Sequence, residues 1–402
     1  MVKRAEMTMT VSGRDAFVRD GLTMLSYSAL GAYAFWLYAF GPALALLRAE
    51  LGFSYTMISV YSAAWAAGSV LAGAAFRLLA ATIGWRGVLG WSALVTTAGA
   101  ALFTLTHTVA ITVLGAAVMG FAGTTLQTTT QSVLADHHGP RRDQALVEMN
   151  IGAGMCAVVA PLALGILPTT TTTWRAAMAL PAVGIVVLAV IFRHQSIPAP
   201  PSRPPGTKGR RSARLSVACW LLSTLVAVGI GVEFSVVYFG AELLTAAKGL
   251  STSAAATAMT VLYAGILLGR IVGARLTRRK SGHAGILVGL SLAVTLAGLV
   301  ALWLPDDAAF ALLGLFLTGL GIANQFPLAL ALAFATAPGN TDAANALAQL
   351  LGGVLVLAAP FLLGSLADHI GLVAGFAVAP VLTALSGLLL YVALRLERNW
   401  LW

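Results

Sequence analysis

The chain is cut at short intervals by charge, proline or glycine, and between the cuts run apolar stretches long enough to cross a bilayer. A crossing helix needs about 20 mostly apolar residues. Twelve stretches meet that length: 21–47, 56–80, 85–105, 109–134, 145–168, 174–193, 215–243, 252–276, 283–304, 308–335, 343–367 and 371–396. Hydrophobic residues make up 59% of the 402 and charged residues 9%, whereas a soluble domain carries about 25% charged residues. Such an excess of apolar surface calls for lipid as solvent. In lipid every backbone polar group must be satisfied within its own segment, which favours helices. The expected fold class is an all-α membrane protein with twelve transmembrane helices.

The formal charge of +10 could suggest nucleic acid as a partner, but the basic residues sit in short breaks between apolar runs. There they orient a membrane protein. With the N-terminus on the cytoplasmic side, only Arg48, Arg175 and Lys248 of the 24 Lys and Arg fall outside. The expected setting is therefore the cell membrane with both termini cytoplasmic, membrane lipid as partner and no nucleic acid. The polar segment 1–20 lacks the pattern of a cleaved signal peptide, so the first apolar run is expected to serve as insertion signal. Arg193–Arg214 holds five prolines and a basic end and reads as a semi-extended linker. It divides the chain into a first bundle at 21–193, a linker at 194–214, a second bundle at 215–396 and a tail at 397–402. Cys156 and Cys219 lie in apolar runs and read as small core residues rather than a disulfide.

The two halves echo each other. AVVAPLALG at Ala157–Gly165 matches VLAAPFLLG at Val356–Gly364, with Pro161 and Pro360 199 residues apart. On that offset Asn150 faces Gln349. Repeated six-span halves around a site at the midplane are a transporter architecture. Between the second and third runs stands GAAFRLLAATIGWR (Gly73–Arg86), and after the eighth GRIVGARLTRRK (Gly269–Lys280). These stretches, the repeat, the basic linker and the orientation resemble the major facilitator superfamily along essentially the whole chain. That family's motif, Gly-x-x-x-Asp-Arg-x-Gly-Arg, forms a cytoplasmic charge latch. Here Arg77 stands near the Asp position of the first copy and Thr277 at that of the second. The resemblance implies a monomer and two pseudo-symmetric six-helix bundles. It also implies that Arg77 and Arg270 gate the protein by pairing with Asp136, Asp143 or Glu148. GAGMCAVVAPLALG (Gly152–Gly165) resembles a degraded antiporter motif, and the acid of the seventh run is similar to that of fucose-permease-like branches. First-run and fourth-run carboxylates expected of a proton-coupled sugar permease are absent.

The seventh run contains GIGVEFSVVYFGAELL (Gly229–Leu244), which puts Glu233 inside an apolar segment. An ionisable group there is costly and faces a bundle interior or a water-filled cavity. Counted from Leu215, Glu233 lies roughly 27 Å along a helix. That is the outer half, unless the helix is long, tilted or broken, and Gly229 and Gly231 would permit a break. The expected role is proton coupling, set against a structural acid bonded to a neighbouring helix. Glu148 is a second candidate proton site or cytoplasmic gate, set against a loop-edge acid paired with Arg141, Arg142 or Arg77. Amides recur in both halves: Gln127 and Gln131, Asn150, Asn324 and Gln325, Asn345 and Gln349. As a set they suit a polar solute; singly they suit interhelical bonds. Tyr33, Trp36 and Tyr238 are candidates to stack on that solute.

The histidines all fall at loops and no metal-ligand spacing occurs; neither a phosphate-binding loop nor any cofactor motif is present. An enzyme would need a polar cluster at one face, and a receptor a larger soluble domain. The sequence therefore points to a secondary transporter that moves a small organic solute by alternating access, with protons as the coupling ion. Symport of a neutral polar solute such as a sugar is set against proton-driven efflux of an amphipathic compound.

Overall fold

A computed structural model describes residues 17–166, 173–199, 215–279, 284–304, 306–338 and 340–397. Expectations for most of the two tails, most of the linker and Lys280 fall outside them. The helices are α1 (Gly21–Leu51), α2 (Tyr55–Leu105), α3 (Val109–His138), α4 (Arg142–Ile166), α5 (Thr173–Ile191), α6 (Val217–Lys248), α7 (Thr252–Arg279), α8 (Ala284–Trp303), α9 (Ala308–Ile322), α10 (Gln325–Ala335), α11 (Thr341–Ile370), α12 (Leu372–Gly375) and α13 (Val378–Leu396). Among the described residues no strand occurs, and eleven helical stretches are long and apolar enough to cross a membrane.

Capping explains where the helices begin and end. The Asp20, Ser54, Ser216 and Asp307 side chains accept backbone N–H groups of the first turns of α1, α2, α6 and α9. These are the orphan donors of a helix start. Gly52 and Gly249 end α1 and α6 in the left-handed conformation, which glycine adopts without strain.

The 51 residues of α2 would span ~76 Å if straight, far more than a bilayer. They do not run straight. Gly84 leaves helical geometry with φ 66°, and the chain folds back there: Trp65 and Gly99, far apart in sequence, both lie against Met119 and Gly120 of α3. The expected runs 56–80 and 85–105 are the two arms of this hairpin. α9 and α10 together cover the run 308–335, broken at Ala323 and Asn324.

Glycines set the close crossings. A Cβ on Gly99 would strike the backbone of Met119, and one on Gly115 that of Phe103; one on Gly120 would strike Trp65. The same crossings recur with Gly298 on Thr318, Gly314 on Leu302 and Gly319 on Leu262. Gly99 and Gly298, Gly115 and Gly314, and Gly120 and Gly319 are each 199 residues apart. Small residues let apolar helices approach backbone to backbone, where dispersion rather than hydrophobic burial holds them.

Candidate functional site

The helices of residues 17–199 meet those of residues 215–397 along two similar seams. On one, Gly165 of α4 lies against Thr257 and the Ser253 carbonyl of α7; on the other, Gly364 of α11 lies against Ser59 and the Tyr55 carbonyl of α2. Ser253 Oγ donates to the Gly165 carbonyl, and Ser59 Oγ donates to the Pro360 carbonyl at 2.7 Å.

At the end of the molecule where α1 finishes, charge joins the two sets of helices. Arg48 Nη1 of α1 donates to Glu242 Oε2 of α6 at 3.0 Å, and Glu242 is 5% exposed. The Arg48 guanidinium also lies 3.8 Å from the Tyr55 ring centroid, a cation–π contact. Asp368 of α11 accepts the Tyr55 and Thr56 backbone N–H groups of α2, each at 2.8 Å. A carboxylate at a helix start satisfies orphan donors and complements the helix dipole.

Just inside this end lies a plug. Ala39–Leu47 of α1 and Ser235–Leu244 of α6 are buried at every position. A helix segment buried on all faces lies inside a bundle, not at its lipid surface. Gly41 brings the two helices together, since a Cβ there would overlap the Val237 carbonyl.

Polar groups gather where the plug stops. Tyr38 immediately precedes the buried part of α1, and Glu233 and Phe234 immediately precede that of α6; all three keep accessible surface. Arg270 of α7 is exposed and lies within electrostatic range of Glu233 and the Tyr38 hydroxyl. Tyr38 and Tyr263 meet edge to face with centroids 5.1 Å apart. A small pocket here is lined by Tyr38, Gly154 and Ala157 from one set of helices and Tyr263, Ile266, Leu267 and Arg270 from the other. Tyr263 is 2% exposed and its hydroxyl has no hydrogen-bond partner among the described residues.

For Glu233 the long-helix alternative holds, and the place of Arg270 changes. α6 runs unbroken from Val217 to Lys248 through Gly229 and Gly231, and Glu233 is 16 residues from its start and 15 from its end. It thus sits at mid-helix, because the helix continues about one turn beyond the apolar run. Arg270, expected in a cytoplasmic charge latch, instead lies within reach of the Tyr38 hydroxyl and within electrostatic range of Glu233.

The other candidates scatter. Trp36 is fully buried and its Nε1 donates to the Met178 carbonyl at 2.8 Å, joining α1 to α5. Tyr33 is packed by Trp65, with its hydroxyl 3.5 Å from Thr124 Oγ1. Tyr238 is buried between Phe40 and Phe234. Asn324 donates to the Gly269 carbonyl, and buried Gln325 donates to Thr295 Oγ1, both at 2.6 Å. These two amides hold helices together. Gln127 and Gln131 are half-buried, and Asn150, Asn345 and Gln349 are exposed; Asn150 donates to the Leu146 carbonyl of its own helix.

Glu148 pairs with Arg19, not with Arg77, Arg141 or Arg142 as expected: two bonds of 2.8 Å join the carboxylate and guanidinium. Tyr27 adds a longer bond. Beside them His137 Nε2 stands 2.7 Å from Asp20 Oδ2, and Thr23 Oγ1 2.8 Å from His138 Nε2. Burial pushes the Asp20 carboxyl up, but bonds from Thr23 and His137 outweigh it and hold it below the usual carboxylate range. These contacts all lie within α1, α3, α4 and the residues preceding α1. Arg77 and Asp136 are exposed. The side chains of Asp143 and Thr277 lie outside the described residues. Among the described residues no group of three or more His, Cys, Asp or Glu is placed to hold a metal ion.

Glu242, Arg48, Asp368 and Arg19 were not picked out as site residues from the sequence. Glu242 had a signal, being a second acid in the stretch that holds Glu233. The others read as ordinary loop-edge charges until the fold brings them together.

The model of the Major Facilitator Superfamily matches residues 25–339, and the chain belongs to that family. Among curated proteins none matches the sequence. Solved structures share the fold over nearly the whole chain. A bacterial homologue of the human lysosomal transporter Spinster, inward-facing and unoccupied, aligns with a TM-score of 0.75 at 14% identity, covering 95% of this chain and 97% of the other. A mutant of the peptide transporter POT aligns at 0.74 with 15% identity over 94% and 95%. A mutant of the nucleoside transporter NupG aligns at 0.70 with 12% identity over 94% and 99%. The family and these neighbours point to a transporter rather than an enzyme.

Proposed function

We propose that the protein is a proton-coupled secondary transporter that carries a small organic solute by alternating access between two related six-helix bundles. The α2 hairpin at Gly84 supplies the twelfth crossing, and the crossings repeated at 199 residues support the pairing of halves. By the positive-inside rule the end bearing Arg48, Arg175 and Lys248 faces outward, and the end bearing Arg19 and Arg141 faces the cytoplasm of a cell-membrane protein. The structure is then read as closed outward, by Arg48–Glu242 and Asp368, and open inward. Exposed Asn150, Asn345 and Gln349 line the approach.

The observation that carries this reading is the cluster of Tyr38, Glu233, Tyr263 and Arg270 where the plug ends, contributed by both bundles. Solute recognition falls to these residues rather than to the full set of amides, since Asn324 and Gln325 are engaged between helices. Glu233 is the proton carrier: it is mid-membrane, partly accessible and within reach of a single cation. Glu148, held by Arg19, fastens the N-terminal segment.

Vesicles reconstituted with the purified protein and given an inward proton gradient test the reading. Labelled aryl acid, nucleoside and sugar serve as trial solutes. Gradient-driven accumulation, abolished by an uncoupler and by Glu233→Gln, is expected. Accumulation that survives Glu233→Gln at the wild-type rate would remove the proton role.

A further inference from the structure

We propose that the pocket at Tyr38, Tyr263 and Arg270 binds the carboxylate of an organic anion with a flat apolar body, and that this carboxylate competes with Glu233 for the charge of Arg270. The proposal rests on the transporter reading and names its substrate class.

The first ground is the sign of the hydrogen-bonding groups. Arg270 offers N–H donors and no acceptor. The Tyr263 hydroxyl is buried with nothing to donate to, and a buried polar group without a partner is costly. Tyr38 brings a second hydroxyl to the same pocket. Three groups able to donate therefore converge from both bundles, while Glu233 lies within electrostatic range of the arginine without forming an ion pair to it. A sugar would bring donors as well as acceptors, and only the two tyrosine oxygens and Glu233 could accept from it. A carboxylate brings acceptors alone, and its two oxygens fit the planar fork of a guanidinium.

The second ground is exposure. Arg270 lies in a membrane-spanning helix and is exposed. A charge at that depth faces protein or a water-filled cavity and marks a substrate or ion path. Opposite it stand Gly154 and Ala157, with the Leu267 side chain packed against Gly154, so a ligand enters there as Leu267 turns aside.

The third ground is the surrounding surface. Tyr38 and Tyr263 present an edge-to-face aromatic pair, Phe234 and Tyr238 lie 5.6 Å apart, and Ile266 and Leu267 complete the wall. Aromatic faces and aliphatic walls suit a planar apolar body.

The coupling follows from sharing one cation. The groups facing Glu233 are Arg270 and Tyr263 from α7 and Tyr38 from α1. Where α11 packs on α6 beside Gly231, it presents the apolar Leu355 and Ala359. Once the ligand carboxylate neutralises Arg270, Glu233 loses the attraction of that positive charge, which favours its protonated form. Glu233 then takes a proton from water in the cavity. Anion binding and proton binding thus reinforce each other, which gives cotransport in one direction. An exchanger would need them to oppose each other.

Binding to the full-length protein in detergent tests this without requiring transport. Benzoate, benzamide, benzyl alcohol and phenyl phosphate are titrated by calorimetry in mildly acidic and mildly alkaline buffer. Benzoate is expected to bind more tightly in the acidic buffer, and the two neutral analogues to bind at least about tenfold more weakly. Phenyl phosphate is expected to bind more weakly than benzoate, because it sets a second negative charge against one guanidinium. Tyr263→Phe, which keeps the ring, should weaken benzoate about tenfold, and Arg270→Gln should abolish its binding. Glu233→Gln should bind benzoate at least as tightly as wild type and lose the pH dependence. Equal binding of benzyl alcohol, tighter binding of phenyl phosphate, or unchanged benzoate affinity in Tyr263→Phe and Arg270→Gln overturns the proposal. None of those results touches proton-driven uptake of another solute in vesicles. Conversely, intact benzoate binding without any vesicle transport sinks the transporter reading and leaves the anion site standing.

Discussion

The two ends of the molecule hold their charges differently. At the Arg48 end, ion pairs and caps run from one set of helices to the other: Arg48 to Glu242, and Asp368 to the start of α2. At the Asp20 end, Arg19–Glu148 and Asp20–His137 join elements of the first set alone. Burial differs in the same sense. Ala39–Leu47 and Ser235–Leu244 are buried throughout, whereas exposed and buried positions alternate along α4 from Val147 to Met155 and along α11 from Asn345 to Val354. Charge placed across a seam closes it. Charge placed within one bundle stiffens that bundle and leaves the seam free to part.

The largest effect is expected from breaking Arg48–Glu242. Removing one partner leaves the other charge buried, at a cost of about 3–5 kcal/mol to the closed end. Arg48→Ala or Glu242→Ala should lower the melting temperature in detergent and expose the plug to a water-soluble thiol reagent. The double substitution should be milder than the sum of the singles, and strict additivity would show that the pair is not coupled. Next comes Asp368→Ala, which frees two N–H donors at the start of α2. A cap loss of about 1 kcal/mol is expected, with a smaller rise in plug labelling. Asp368→Asn, which keeps one acceptor, should recover part of it.

The smallest effect belongs to the other end. Asp20 has its carboxyl below the usual range, so its stabilisation is fully present above the unfolded value of about 3.9 and is lost as pH falls through the folded value. The side chain is 39% exposed, so solvent screening keeps the effect to a few tenths of a kcal/mol. Asp20→Asn should flatten the acid limb of the melting profile below about pH 4 and leave plug labelling unchanged. A change in labelling would mean that this cluster also acts across the seam.

Much of the fold was legible. The apolar runs are helical, because hydropathy and capping residues act locally, although 56–80 and 85–105 share α2, 308–335 is broken between α9 and α10, and 371–396 between α12 and α13. Glu233 was legible for the same reason, as an acid in an apolar run announces itself. Its depth was not, because α6 keeps helical geometry beyond the apolar run to Lys248. The place of Arg270 was hidden by a motif resemblance that assigned it to a cytoplasmic charge latch, while helix phase turns it toward Tyr38. The amide set divided because Asn324 and Gln325 found partners on α7 and α8 that only the three-dimensional crossings supply. Arg48–Glu242 and Asp368 with Tyr55 join residues 194 and 313 apart, and no local pattern encodes contacts of that separation.

The central claim is that a polar site between two bundles is sealed at the Arg48 end and reachable from the other. Thiol labelling of single-cysteine variants tests it most directly, in a chain where Cys156 and Cys219 are replaced by alanine. Cysteine at Gln349 reports the approach and cysteine at Ser235 reports the plug. The account predicts fast labelling at 349 and none at 235, with 235 becoming reactive when Arg48→Ala is added. Equal labelling at both positions with Arg48 intact would contradict it.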